Sequence, residues 1–594
     1  MNLTDNSRRD GNSLSVAGRA FWLVLIIATL YLCYFHNLGA IGLVGPDEPR
    51  YSWIAREMYE SGDWVTPRLY GKPWFEKPPL LYWGVALSFK LFGVSDAAAR
   101  LPSALAALMA ALAVAWLAWR VYGAWTARWL LLLLPTTVGM IGFSHAAVTD
   151  MSFAAALTIA MVFAAGILGL VSPLGYTIST PTSSFYRNSR PAGLVSLFFF
   201  GFFLGLATLA KGPAAIVLSG GGILMWAAFT RRWRDAFRCL HPVAIASFCL
   251  TALPWYILCS RRNPEFFRVF ILEHNFKRYL TPEFQHIQPF WFYGPILLIA
   301  FAPWTLALMW SVLFGALRAW QQRRPSDATL LALCWAIFCL VFFSISKSKL
   351  PGYILPALPP IGLLLSRAYV RVVPKESRTF RLLLLTGAIP MILAAAVLWS
   401  ARLGVERFTA AAAAGAGWIL LLFGLANALL AARKAAARQT FAWDSLAVVP
   451  ILAILLFFNH LAPLFLPWDP SGKALAQDLR AAHIPAEQIC VASMPRGQQY
   501  SLNFYLHQEI QPWNSRQGRE SYLLVNYRNC SHIVEPPWTC SGDPLQLPTS
   551  GWFVYNVRRE DSVRNRNNGN ALGSGRGGGA LDRDGLGVGY GEPR

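Results

Sequence analysis

Residues 194–210 read LVSLFFFGFFLGLATLA, a run without a single charge. Runs of roughly 17–25 apolar residues are long enough to cross a bilayer as an α-helix. Similar runs, such as residues 242–259, recur along the 594-residue chain. They hold the charged share to 14%, against about 25% in a typical soluble domain, and the mean hydropathy is +0.40. The sequence therefore predicts a polytopic, all-α membrane protein.

The formal net charge of +22 would by itself suit a nucleic-acid-binding protein. The positive residues, however, lie in short loops between apolar runs, where they orient helices in a membrane. Arg8, Arg9 and Arg19 precede the first run, which has no small-residue cleavage site. We interpret that run as an uncleaved first helix rather than a signal peptide, and we expect no nucleic-acid partner.

About thirteen segments are predicted to span the membrane. A cytoplasmic tail covers residues 1–18, and the transmembrane domain covers residues 19–466, with the N-terminus inside and the C-terminus outside. The predicted spans are residues 19–39, 99–119, 126–143, 147–170, 194–210, 212–230, 242–259, 292–316, 328–346, 351–367, 380–400, 414–432 and 446–466.

The orientation depends on residues 80–93 (LLYWGVALSFKLFG), which are apolar but short for a span. If they do not span, nearly every loop rich in Lys and Arg falls on the cytoplasmic side, as the positive-inside rule requires. If they do, all later loops invert and the rule fails. Residues 45–98 are therefore predicted to form one long external loop. The loops that decide this carry Arg120, Arg128, Arg231, Arg232, Arg234, Arg238, Arg318, Arg323, Arg324, Arg367, Arg371, Lys375, Arg378, Arg433, Lys434 and Arg438.

Within this external loop, Tyr51, Ile54, Ala55 and Met58 recur at i, i+3, i+4 and i+7. This spacing predicts an amphipathic helix, which we expect to lie on the membrane surface. Residues 171–193, rich in Ser, Thr and Pro, are predicted to form a flexible cytoplasmic loop.

Residues 467–558 are polar and predict a small external α/β domain. A helix is expected over residues 472–482 and strands over residues 489–492, 521–525 and 552–555. Cys530 and Cys540 would form a disulfide there if this part lies outside the cytosol. Residues 559–594 are rich in Gly, Arg and Asn, a composition typical of disorder.

Ionisable and polar residues gather in the predicted outer loops, whereas the spans carry almost none at mid-depth. A transporter usually needs such groups near the bilayer midplane. Their position at one water interface instead favours an enzyme that acts on a lipid head group. The outer set comprises Asp47, Glu48, Arg50, Glu76, Lys77, His145, Asp150, Lys211, Glu273, His274, Lys277, Arg278, Lys347, Lys349 and Tyr353.

The external loop over residues 260–291 is unusually basic and departs from the orientation rule. It includes Arg268, Lys277 and Arg278. Because Lys and Arg normally favour the cytoplasmic side, cations in an outer loop indicate an anionic partner. A lipid phosphate fits best, since Arg can bind it through two hydrogen bonds.

Six motifs follow one another in order along the first 365 residues: GPDEPRY (45–51), FEKPPLLYW (75–83), HAAVTD (145–150), LAKGP (209–213), EHNFKRYLTPEFQHIQPFWFY (273–293) and SKSKLPGYILPALPP (346–360). Together they resemble the bacterial ArnT/protein O-mannosyltransferase-like glycosyltransferases of the GT-C fold. The resemblance implies transfer of a sugar from a polyprenyl-phosphate carrier to an acceptor on the non-cytosolic side.

The resemblance also implies roles for individual residues. Asp47 and Asp150 look like the acidic residues of the reaction centre, with Glu48 a further catalytic candidate. The residues expected to bind the carrier phosphate are Lys77, Arg278, Lys211, Lys349, Tyr353 and Arg50.

Glu76 and His274 resemble a pair that holds a divalent metal (Zn, Mg or Mn), and no nucleotide cofactor is expected. For each of these residues a structural role is the alternative. Asp47 and Glu48 would cap a helix that begins near Pro49, and Asp150 would cap its own helix. Glu76 and His274 would simply share a hydrogen bond, because metal sites usually need three or four ligands.

The expected partners are an undecaprenyl-phosphate-linked sugar, membrane lipids and an envelope acceptor. Lipid A or another glycolipid is one candidate acceptor, and Ser or Thr of an exported protein is the other. A hydroxyl acceptor needs a base such as Asp47, whereas a phosphate acceptor, with a second pKa near about 6, is already ionised. The expected location is the bacterial inner membrane, with the site facing the periplasm. A lipid-linked sugar flippase and a non-catalytic scaffold are the alternatives.

Overall fold

The computed structural model describes residues 16–171, 190–277, 288–305, 308–309, 312, 325–372, 470–514, 521–526, 530, 533–535 and 538–559. The predicted spans at residues 380–400, 414–432 and 446–466 lie outside these residues. So do Arg278, most of the predicted cytoplasmic loop at 171–193 and the Gly/Arg-rich tail. The chain separates into two compact units.

The first unit consists of residues 1–473 together with Pro495–Glu509. Its first helices are α1 (Val16–Tyr34), α2 (Asp47–Ser61), α3 (Leu80–Phe92), α4 (Asp96–Tyr122), α5 (Ala124–Leu133), α6 (Val138–Ser144), α7 (Thr149–Ile167) and α8 (Arg190–Lys211). A two-stranded antiparallel hairpin, β1 (Arg68–Leu69) and β2 (Lys72–Pro73), stands between α2 and α3.

The same unit continues through α9 (Ala214–Thr230), α10 (Trp233–Phe237), α11 (Pro242–Arg262), a π-helical segment (Arg268–Lys277), α12 (Tyr293–Ala300), α13 (Asp327–Ile345), a 3₁₀ turn (Pro351–Ala357) and α14 (Leu358–Val372). Further along the chain follow α15 (Lys473–Ala481), of which only Lys473 belongs to this unit, and α16 (Arg496–Leu506).

Seven helices in the described part of the chain are long and apolar enough to cross a membrane, and an eighth span arises if α5 and α6 count as one. Those two helices replace the single predicted span at 126–143, and they meet at an angle of 65°. Helix α9 has 17 residues and is a shorter apolar helix. The chain is therefore a multi-pass membrane protein, as the apolar runs predicted.

Helix α2, which begins at Asp47 within GPDEPRY, confirms the predicted amphipathic helix, but its surroundings differ from the expectation of a helix lying on the membrane. Tyr51, Ile54, Ala55 and Met58 are all at most 2% exposed. They are covered by protein, because α2 packs against α3 and α16. The amphipathic spacing identified the buried face correctly, and the partner that buries it is another part of this chain.

Residues 80–93, the short apolar segment that decided the orientation, form the 13-residue helix α3. At about 1.5 Å per residue it is too short to cross the roughly 30 Å hydrocarbon core. It begins after Pro79 and ends at Gly93, whose φ of 78° is a backbone conformation that glycine tolerates. Helix α3 packs against α2 and α4.

The second unit consists of residues 474–494 and 510–594. It contains a sheet of five strands in the order β4 (Gln511–Pro512), β3 (Ile489–Val491), β5 (Ser521–Val525), β7 (Phe553–Arg559) and β6 (Trp538–Gln546). β3 pairs parallel with β4 and β5, whereas β7 pairs antiparallel with β5 and β6. Cys530 and Cys540 form a disulfide in this unit, a pairing that the sequence left open.

The C-terminal α/β domain was predicted as one continuous segment over residues 467–558, and the contacts divide it differently. Helix α16 lies between β3 and β4 in the chain, yet it belongs to the first unit. Its apolar side explains this, since Phe504 is buried in a core formed by α2, α3 and the start of α4. Helix α16 therefore belongs to the first unit, although it follows strand β3 of the second unit in the sequence.

Candidate active site

Glu48 and Arg100 form a buried ion pair at the start of α2, with both side chains 5% exposed. Arg100 donates from Nε and one terminal nitrogen to the two carboxylate oxygens of Glu48, each at 2.9 Å. Its remaining N–H groups bind the backbone carbonyls of Leu38, Ile41 and Gly42 at 2.8 Å. All five guanidinium donors are therefore used, and they organise the chain just before GPDEPRY.

Glu48 also accepts hydrogen bonds from the backbone N–H groups of Val44, at 2.9 Å, and Ala147, at 2.7 Å. Four donors thus saturate a carboxylate that is sealed from solvent. A catalytic role for Glu48 stays a prediction, and in this geometry both of its carboxylate oxygens are occupied by these four donors. The observed contacts of Glu48 hold the start of α2 against Arg100 and against the segment that leads into α7.

Asp47, the residue before it, has the opposite environment, with its side chain 40% exposed. Its carboxylate accepts from Arg50 at 2.5 Å, and the same Arg50 nitrogen lies 3.1 Å from Glu76. Lys77 in turn lies 3.3 Å from the other oxygen of Glu76. Carboxylates and cations therefore alternate in one series of ion pairs, in the order Asp47, Arg50, Glu76 and Lys77. No side chain caps the first turn of α2, so a capping role for Asp47 is not what the geometry shows.

Arg50 lies among aromatic rings, with its Cζ 5.4 Å from the ring centroid of Tyr51, 5.3 Å from that of Trp74 and 5.7 Å from that of Tyr500. Burial lowers the pKa of its guanidinium, but nearby negative groups, Glu76 foremost, raise it by more. Arg50 consequently stays charged in a largely dry setting and fixes the orientation of the two carboxylates that it binds.

Asp150, in the first turn of α7, binds Lys211, the last residue of α8, at 2.5 Å. The Lys211 ammonium also lies 4.3 Å from the ring centroid of Tyr353. Gly352 makes this approach possible, since a Cβ there would lie 2.6 Å from an Asp150 oxygen. No side chain caps α7 either, so Asp150 serves the ion pair and not a helix cap.

The two acidic centres are linked through Glu48. The Ala147 N–H that it accepts lies three residues before Asp150, and Glu48 itself follows Asp47 directly. The starts of α2 and α7 are thus brought together by one buried carboxylate.

The cationic residues are linked by packing. Phe75, just before Glu76, shares a buried cluster with Leu209, two residues before Lys211. The motifs FEKPPLLYW and LAKGP, far apart in the chain, therefore meet at one place.

Lys349 is 6% exposed and donates to the carbonyls of Ser346, at 2.6 Å, and Gln288, at 2.9 Å. Burial lowers the pKa of this ammonium, and the charge of Lys347 lowers it further. The observed partners are therefore backbone carbonyls, and in this geometry Lys349 fastens two segments together. Phosphate binding by Lys349 stays a prediction, and its ammonium would have to leave these carbonyls.

The metal expected at Glu76 and His274 finds little support in the geometry. Both Glu76 oxygens face cationic side chains, an arrangement that opposes a divalent cation. Within the described ranges there is no group of three His, Cys, Asp or Glu side chains that could hold a metal ion. The imidazole of His274 and the whole of Arg278 lie outside what the structure describes, so their roles stay predictions. Arg268 of the same basic loop lies 3.7 Å from Glu273.

Sequence patterns missed the contribution of Arg100 and of helix α16. An arginine at the head of an apolar span is expensive to bury, and that alone could have marked Arg100. For α16 there was little signal, because Asn503, Tyr505 and His507 read as ordinary polar residues. In the structure they bind Tyr70, Asp96 and Glu60, at 2.8, 2.6 and 3.1 Å respectively.

Comparisons with known proteins agree with the overall fold. Residues 20–270 match the family model for dolichyl-phosphate-mannose-protein mannosyltransferase. The crystal structure of ArnT from Cupriavidus metallidurans bound to undecaprenyl phosphate is similar with a TM-score of 0.69 and 25% identity, over 90% of this chain and 98% of that one. The fold is therefore that of the GT-C class of membrane proteins.

Two curated relatives are named undecaprenyl phosphate-α-4-amino-4-deoxy-L-arabinose arabinosyl transferase. The one from Serratia proteamaculans (strain 568) is 32% identical over 460 residues, 73% of this chain and 75% of that protein. The one from Edwardsiella ictaluri (strain 93-146) is 33% identical over 365 residues, and the match spans 62% of its length. The chain belongs to the ArnT family of GT-C glycosyltransferases.

Proposed function

We propose that this protein is an inner-membrane glycosyltransferase. It takes a pentose, 4-amino-4-deoxy-L-arabinose, from an undecaprenyl-phosphate carrier and transfers it to an envelope glycolipid such as lipid A at the periplasmic face. The observation that carries the proposal is the pair of acids, Asp47 and Asp150, each bound to a cation and brought together through Glu48. The name of the Serratia relative supports the choice of sugar and carrier.

The reaction forms a bond between an acceptor oxygen and the anomeric carbon and breaks the bond from that carbon to the carrier phosphate. The electron pair of the broken bond remains on the phosphate, which leaves as undecaprenyl phosphate. Preplaced cations stabilise charge that develops on this oxygen, and they do so best where water is scarce. Lys77 and Lys211, 14% and 13% exposed, fit that role. Arg278 and Tyr353 are further predicted contacts.

Asp47 is the acid placed to act on the acceptor, because its carboxylate is accessible while Arg50 fixes its direction. For a phosphate acceptor no proton has to be removed, since the second pKa of a phosphate monoester is about 6. Asp47 then orients the sugar and the acceptor. For a hydroxyl acceptor Asp47 would take the proton. No step is assigned to a metal, because the cations around Glu76 oppose one.

The proposal is tested by reconstituting the purified full-length protein in vesicles with the undecaprenyl-phosphate-linked aminopentose and lipid A. We expect mass spectrometry to show lipid A gaining one aminopentose residue. If lipid A gains no sugar but an exported protein added to the same vesicles does, the acceptor is a Ser or Thr side chain instead. Movement of the donor across the bilayer without any transfer would favour the flippase.

A further inference from the structure

Two arginines share one tyrosine at the edge of the candidate site. The Cζ of Arg50 lies 5.7 Å from the ring centroid of Tyr500, and the Cζ of Arg496 lies 5.3 Å from the same centroid. The Nε of Arg496 also donates to the Tyr500 hydroxyl at 3.0 Å. Tyr500 is thus a common support for two guanidinium groups in α2 and α16.

The two guanidinium groups differ in how their charge is balanced. Arg50 is buried and paired with Asp47 and Glu76. Arg496 is exposed, and no carboxylate of the described residues pairs with it. Two like charges on one ring repel each other, so an anion beside Arg496 would be favourable. Arginine binds phosphate in a bidentate manner, and Tyr500 already orients this one.

Arg496 also lies close to the segment that leads into Asp47. The next residue, Gly497, packs so tightly on Gly45 that a Cβ would lie 2.8 Å from the Gly45 carbonyl carbon. Gly45 is two residues before Asp47. The start of α16 therefore rests on the segment that presents Asp47, whereas Lys77 and Lys211 belong to other elements.

We propose that Arg496, held by Tyr500, binds the phosphate group of the acceptor glycolipid and brings it to Asp47. This inference rests on the proposed function, in which the acceptor is a phosphorylated glycolipid. It makes α16 an acceptor-binding element, although this helix lies in the C-terminal part of the sequence between two strands of the sheet. The proposed phosphate would also balance the charge of Arg496, which lies beside a second cation, Arg50, on the Tyr500 ring.

The test compares the wild-type protein with Arg496→Ala, Arg496→Lys and Tyr500→Phe in the reconstituted transfer assay. We expect Arg496→Ala to raise the KM for lipid A about tenfold or more, because the variant loses a charge-assisted hydrogen bond to the phosphate. The KM for the donor should stay within about twofold. Arg496→Lys should recover part of the loss, and Tyr500→Phe, which keeps the ring, should have a smaller effect in the same direction.

A binding measurement separates this inference from the proposed function. Purified wild-type protein and Arg496→Ala are titrated with lipid A and with the same lipid after phosphatase treatment. The inference requires that the wild-type protein prefers the phosphorylated lipid and that Arg496→Ala loses the preference. Lys72→Ala, which removes another exposed cation of the same unit, is the control and should keep it.

An unchanged KM for lipid A with an unchanged phosphate preference would overturn the inference even if the wild-type enzyme transfers sugar normally. A raised KM for the donor alone would also overturn it and would assign Arg496 to the carrier phosphate. If the wild-type protein transfers no sugar to lipid A, the proposed function fails, and the binding titration still decides the role of Arg496.

Discussion

Arg100 and Glu48, 52 residues apart in the sequence, form two parallel hydrogen bonds of 2.9 Å in a setting where both are 5% exposed. The pair connects α4 with the start of α2, and Glu48 extends the connection to Ala147 before α7. The accessible acid Asp47 is therefore positioned by a neighbour that never meets solvent. A buried pair of this kind is costly to break, because the remaining charge is left without an opposite charge.

Removal of one partner should destabilise the protein strongly. We expect Glu48→Gln or Arg100→Met to lower the free energy of unfolding by about 3–5 kcal/mol, measured as thermal unfolding in detergent. The double variant should lose less than the sum of the two single variants, because it leaves no unpaired charge. Glu60→Gln breaks an exposed ion pair with Arg56 on the same helix and weakens the exposed contact with His507, and it should cost less than about 1 kcal/mol. Equal effects of Arg100→Met and Glu60→Gln would contradict this structural role.

Asp47 and Glu60 allow a matched comparison, since both lie on α2, are 40% and 39% exposed, and pair with an arginine. We expect Asp47→Asn to reduce kcat for sugar transfer by about 10²–10⁴-fold if Asp47 acts as the base, and by less if it only orients the acceptor. Glu60→Gln should retain activity. Thermal unfolding of both variants should stay near that of the wild-type protein, and a nearly active Asp47→Asn would remove Asp47 from the reaction centre.

Lys211 is expected to act on the carrier phosphate through its charge. Lys211→Met keeps the length of the side chain but leaves Asp150 without its cation, so we expect kcat/KM for the donor to fall at least tenfold. Lys211→Arg should recover only part of this, because the planar guanidinium has a different geometry. The control is Lys90→Met, which changes an exposed lysine of α3. A donor kcat/KM that stays unchanged in Lys211→Met would exclude the assignment.

Gly352 should be needed for activity although it carries no functional group. In Gly352→Ala the new methyl group would meet an Asp150 oxygen at 2.6 Å and the ring of Phe143 at 2.8 Å, so that Asp150 has to move. A displacement of about 1 Å in a site can cost about 10²-fold in rate. We expect kcat to fall at least tenfold. Gly142→Ala, where a Cβ meets nothing within 4 Å, should leave kcat unchanged, and equal rates in both variants would show that Asp150 tolerates the shift.

The disulfide provides a test of the predicted orientation. The protein is denatured without reductant and labelled with a maleimide-polyethylene glycol. We expect seven of its nine cysteines to react, because only Cys530 and Cys540 are bridged. Prior reduction should add two labels. Disulfides persist in the periplasm and not in the reducing cytosol, so nine labels without reduction, in protein from cells lysed with a thiol block, would contradict a periplasmic C-terminal part.

The elements that follow from local patterns were predictable. The helix that carries Tyr51, Ile54, Ala55 and Met58 and strands β3, β5 and β7 were expected close to where they occur, and residues 80–93 were expected not to span. Asp47, Arg50, Glu76, Lys77, Asp150 and Lys211 were all expected at one site, and the structure joins them in two ion-paired groups. The bend between α5 and α6 and the position of α16 were not foreseen, because they depend on packing partners remote in sequence.

Glu48 shows most clearly where sequence reasoning stops. Asp47 and Glu48 are neighbours with similar chemistry, and nothing in their order tells which one faces solvent. The Glu48 carboxylate is buried because Arg100 and Ala147, from distant segments, bind it in the folded protein, whereas the Asp47 carboxylate stays accessible.

The sequence by itself determined that this is a multi-pass membrane protein, because apolar length acts locally and can be read along the chain. From the loop charges it also predicted that the ionisable residues gather at one face. The tertiary structure alone decided which charges neutralise each other and which remain available for a substrate. That outcome depends on distances of a few ångströms between residues such as Glu48 and Arg100. Burial removes water from these residues, so that each ion pair is stronger and each unpaired charge costs more free energy.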